Sequence, residues 1–126
     1  MKTEHEKKFI NKILDELVKA ENKHPKFCDA ITNKSKDAVH KALAELRIEN
    51  DKGPYYADRI LHEEIAESLE AYQMNMLVSC IEELAQCGAV ILRTMEFVQK
   101  EIETKTLGTG IKPNACARSA GAMSRL

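Results

Sequence analysis

Two short runs hold most of the side chains in this sequence that could do chemistry together. The first is Glu63-Glu64-Ile65-Ala66-Glu67 and the second is Glu82-Glu83-Leu84-Ala85-Gln86. Both sit in stretches with helical apolar periodicity. On a helix turning about 100° per residue, Glu64 falls inside the mostly apolar arc of Ala57, Ile60, Leu61, Ile65, Ser68, Leu69, Ala71 and Tyr72. Glu67 lies at the edge of that arc, and Glu63 and Glu70 fall on the polar side. The second run repeats the arrangement. Glu83 lies within an arc containing Leu77, Cys80, Ile81, Leu84, Cys87 and Ile91, Gln86 lies at its edge, and Glu82 faces out. Isolated carboxylates are costly to remove from water, and converging ones repel. A hard divalent cation such as Mg²⁺ or Mn²⁺ is the natural counter-charge, because such ions take carboxylate oxygens and water. Pairing of Glu64, Glu67 and Glu83 with Lys or Arg, or plain surface exposure, is the alternative that spacing leaves open.

The elements needed to position these groups are helices. Ala, Glu, Lys and Leu dominate, and strand signals are nearly absent. The spacing predicts four helices, over about 3–22, 35–49, 55–73 and 76–104. His24-Pro25 closes the first, Ser35 caps the second, Asp51-Lys52-Gly53-Pro54 makes a turn, and Met74-Asn75 is a tight link. A short link makes helices three and four antiparallel neighbours, so that their glutamates meet. The expected fold is all-α, a four-helix bundle in a single domain over 1–106. A disordered tail is expected over 107–126, where Gly108, Gly110, Pro113 and Gly121 break the periodicity.

Composition excludes several functions. The chain has 126 residues, enough for one modest core, and is 44% hydrophobic and 31% charged, with net charge -1. Such a balance favours neither nucleic acid nor an acidic membrane as partner. No apolar run reaches the ~20 residues of a membrane span, and the charged start, Met1-Lys2-Thr3-Glu4-His5, does not read as a signal peptide. Cys28, Cys80, Cys87 and Cys116 form no CxxC motif, and Cys80 and Cys87 are too far apart along one helix to bond. Buried thiols in a reducing cytoplasm are the expectation. His5, His24, His40 and His62 share no metal-ligand spacing and read as surface or packing residues.

The two acidic runs carry a resemblance. Glu63-Glu64-x-x-Glu67, then fifteen residues, then Glu83-x-x-Gln86 resembles the paired acidic motif of the MazG-like nucleotide pyrophosphohydrolases. The flanks Leu61 to Ala71 and Glu82 to Ile91 look like that family's two metal-binding helices, in the phage-associated type that carries Gln in place of the last Asp. The likeness spans about residues 44–98. It implies a homodimer or tetramer that splits a nucleoside triphosphate between the α and β phosphates. By the same analogy Glu64, Glu67 and Glu83 are metal ligands and catalytic residues, and Gln86 stands in the fourth ligand's place. Gln86 lowers the site's charge from four negatives to three, which weakens Mg²⁺ binding. A non-catalytic module that binds nucleotide or a protein partner is therefore the alternative. Arg93 and Lys100, on the flank of Gln86, are the candidate phosphate-binding cations, with solvated surface charge as the plainer reading.

Overall fold

The structure, a computed structural model, describes residues 3–109. It contains four helices, α1 (Thr3–Lys23), α2 (Lys36–Lys52), α3 (Ala57–Gln73) and α4 (Leu77–Thr109), and no strand among the described residues. The all-α expectation holds, and the boundaries fall close to the sequence signals, except that α2 runs three residues past its expected end and takes Asp51 and Lys52 of the expected turn into the helix. α1 stops at the residue before His24-Pro25. Ser35 adopts an extended backbone, and its hydroxyl accepts the Ala38 amide at 3.1 Å, satisfying a donor that the first turn of α2 leaves unpaired. Gly53 ends α2 at φ 66°, a left-handed value that costs a side chain-bearing residue about 1–2 kcal/mol.

Between α3 and α4 the chain reverses in three residues. The Met74, Asn75 and Met76 amides donate to the Glu70, Tyr72 and Ala71 carbonyls, so the last turn of α3 is closed by backbone alone. Asn75 takes φ 59°, which asparagine tolerates better than most residues. α4 continues through Gly108 to Thr109, five residues past its expected end. A single glycine weakens a helix by about 1 kcal/mol relative to alanine, which does not stop a helix already 31 residues long at that point. The rest of the expected tail, 110–126, and Cys116 with it, lies outside the described residues.

Within the stretch read as one domain, the chain forms two units. One comprises α1 with α4 from Thr94 onward, and the other spans residues 28–93. In the second unit α2 and α3 form an antiparallel hairpin. Lys34 meets Gln73, His40 meets Glu70, Arg47 meets Glu67, and Asn50 meets Glu63. Val39 and Leu43 of α2 are each 1% exposed, and α3 contributes the small residues Ala66, Ser68 and Ala71. The buried Ser68 hydroxyl is satisfied by the Ile65 carbonyl at 2.6 Å. None of the four helices is long and apolar enough over its described residues to cross a membrane.

Truncating Leu43 leaves a cavity in the most completely buried layer. Leu43→Ala is expected to lower the unfolding free energy by ~2–5 kcal/mol in chemical denaturation. Phe27→Ala, at a side chain 82% exposed, is expected to change it by less than ~0.5 kcal/mol.

Candidate metal centre

Helical spacing puts Glu64 and Glu67 on one flank of α3, and the three-residue reversal brings α4 alongside with Glu83. One carboxylate oxygen from each of Glu64, Glu67 and Glu83 lies within 4.8 Å of the other two. All three side chains are half-buried. One oxygen of Glu64 and one of Glu83, both Oε2, are fully buried with no hydrogen-bond partner.

The electrostatics follow from that placement. Burial pushes the Glu64 carboxyl up from its ordinary value, reinforced by the charge of Glu67, a hydrogen bond with Glu67, and the charges of Glu83 and Glu63. Burial likewise pushes Glu83 up, with Glu67 and then Glu82 adding to the rise and Arg47 opposing it. Carboxylates this close need a proton or a cation between them. The donors are carboxylate oxygens, which suit Mg²⁺ or Mn²⁺ better than a thiophilic ion. The nearby Cys87 is one turn beyond Glu83. Its thiol is pushed up by burial first and then by the charge of Glu64, so it stays protonated beside the cluster.

One cation of the protein already reaches the cluster. Arg47 of α2 donates from Nη2 to Glu67 Oε2 at 2.9 Å, and its Nε lies 3.9 Å from Glu63 Oε2. The Glu67 hydrogen bond raises the guanidinium above its already high range. Buried Asn50 donates to Glu63 Oε1 at 2.8 Å and to the Arg59 carbonyl at 3.1 Å. The ion pair to Glu67 therefore realises part of the Lys/Arg alternative, while one oxygen each of Glu64 and Glu83 has no hydrogen-bond partner.

Two expectations need correction. Glu63 and Glu70 do not point away into solvent. Both are about three-quarters buried, Glu63 against Asn50 and Arg47 and Glu70 against His40. The side of α3 that reads as polar is the side that packs on α2. The thiols also differ from one another, since Cys80 and Cys87 are buried and Cys28 is exposed.

Glu82 faces solvent as expected. Gln86 is exposed one turn beyond Glu83. Arg93 is exposed further along α4, and Lys100 belongs to the other unit, where it lies with Phe97, Glu101 and Thr104. The structure thus brings together Glu64, Glu67 and Glu83 and adds Arg47, with Asn50 behind Glu63. Arg47 stands one turn before the buried Asn50, on the flank of α2 that meets α3. Its antiparallel register with Glu63 and Glu67 was the signal available for finding it.

The raised carboxyls set a pH dependence. Their contribution to stability is present below the ordinary carboxylate value of 4.5 and is lost as pH rises through the higher folded-state values. In chelator, wild-type stability is expected to fall from pH 5 to pH 8 relative to a Glu64→Gln, Glu83→Gln double variant. Thermal melts of the two proteins across that range check this, and parallel curves would sink it.

Compared with known proteins, the chain matches no family model, no curated protein and no solved structure.

Proposed function

We propose that the chain is a metal-dependent nucleoside triphosphate pyrophosphohydrolase, working in the cytoplasm as a homo-oligomer. The observation that supports this most is the convergence of Glu64, Glu67 and Glu83 with two buried, unpartnered carboxylate oxygens. The likeness of their spacing to the MazG-like motif adds the reaction class. In that reaction a water oxygen bonds to the α phosphorus, the bond from that phosphorus to the bridging oxygen breaks, and pyrophosphate leaves. A bound Mg²⁺ or Mn²⁺ would supply a polarised water and neutralise phosphate charge. Glu64, Glu67 and Glu83 would hold the cation, and Gln86 would add only a neutral oxygen. Arg47 orients Glu67 through its 2.9 Å hydrogen bond and places a fixed positive charge beside the carboxylates.

A second reading rests on the exposure and neutrality of Gln86. Three carboxylates, one of them paired with Arg47, suit cation and nucleotide binding without turnover.

Millimolar Mg²⁺ or Mn²⁺ is expected to raise the melting temperature, by about 2.7 kcal/mol of stability when the ion is at 100 times its dissociation constant. Glu64→Gln and Glu83→Gln are expected to abolish that gain, and Gln86→Asp to tighten binding. Pyrophosphate release from a panel of ribo- and deoxyribonucleoside triphosphates decides between the readings. Release that drops roughly a hundredfold in Glu64→Gln supports the hydrolase. A metal-dependent shift without release from any triphosphate supports the binding module, and no shift at all removes both.

A further inference from the structure

The unit formed by α1 and the end of α4 is short of core. Among its described residues only Phe9 and Glu96 are buried, and a single buried apolar side chain cannot offset the cost of ordering two helices. Yet α1 is strongly amphipathic in sequence. Ile10, Ile13, Leu14, Leu17 and Val18 fall on one side of it, and all five are 42–57% exposed.

The order of residues along this face says what covers it. Lys7, Ile10, Leu14, Val18 and Glu21 follow one another at intervals of three and four, which places them in a single stripe about 80° wide. The stripe is symmetric about Leu14. Ile10 and Val18 are four residues to either side, and Lys7 and Glu21 are seven to either side with opposite charge. Both charged residues are exposed. A sequence with this symmetry complements a second, antiparallel copy of itself. Leu14 meets Leu14 of the partner subunit, Ile10 meets Val18 of the partner subunit, and Lys7 meets Glu21 of the partner subunit. The same contacts recur on the other side of the axis, as a twofold interface requires. A parallel pairing would set Lys7 against Lys7 of the partner subunit and gains nothing from this order. Ile10, Leu14 and Val18, 43%, 51% and 57% exposed, supply the apolar centre of this seam.

We propose that the chain forms a homodimer in which α1 packs antiparallel on α1 of a second copy, about a twofold axis at Leu14, closed at each end by a Lys7–Glu21 ion pair between subunits. This assembly does not rest on the hydrolase reading, since neither α1 nor the end of α4 supplies a residue to the carboxylate cluster.

Charge reversal tests the pairing at two surface positions where folding is not at stake. In sedimentation of the full chain, the wild type is expected to be dimeric at ~50 μM. Lys7→Glu alone and Glu21→Lys alone place like charges at both ends, and each is expected to raise Kd roughly five- to twentyfold. Mixing the two single variants restores opposite charges at both ends, so the mixed dimer is expected within about threefold of the wild-type Kd. A monomeric wild type at that concentration overturns the proposal. So does a mixture that associates no better than either variant alone, which would assign the stripe to another occupant.

Discussion

Three carboxylates held within 4.8 Å of one another, two of them with a buried oxygen that has no hydrogen-bond partner, form the constraint around which residues 28–93 are arranged. Repulsion among them has to be contained by the rest of the unit. The containment is visible in α2, whose Arg47 reaches across to Glu67 and whose Asn50 ties down Glu63. Behind these contacts lie Val39 and Leu43, the most completely buried large side chains among the described residues, with Val39 lining a cleft beside Ala66 of α3. Ala66, on the side of α3 that carries Glu63 and Glu70, leaves room for α2 to approach, and Arg47 comes within hydrogen-bond range of the cluster.

Arg47 makes the site unlike a bare acidic pocket. A guanidinium fixed against Glu67 leaves Glu64 and Glu83 as the groups with unspent charge. It lowers the carboxyl of Glu83 against the larger upward push of burial and Glu67. The cluster thus remains short of positive charge even with its resident cation in place.

Much of this was legible in the sequence. The ends of α1 and α3 and the start of α2 followed from Pro25, the Met74-Asn75 link and Ser35, because caps and breakers act locally. The meeting of Glu64, Glu67 and Glu83 followed from periodicity plus one short connection. What periodicity could not supply was the identity of each face's neighbour. Polar residues on α3 read as solvent-facing, although Glu63 and Glu70 pack on α2, because α2 offers Arg47, Asn50 and His40 as partners. Conversely, the apolar arcs of α3 and α4 are buried only in part, with Ile65, Leu77, Ile81 and Leu84 exposed. A wheel diagram reports polarity, whereas burial depends on which element the fold places opposite.

The reversal at Met74–Met76 has a kinetic consequence. Only fifteen residues separate Glu67 from Glu83, so closing the α3–α4 hairpin carries a small loop entropy and draws on local contacts, which form fast. The carboxylates therefore confront one another as soon as the hairpin closes, before more distant parts of the chain need have joined. Their repulsion is felt during assembly of the hairpin and bears on the closing step as well as the opening one.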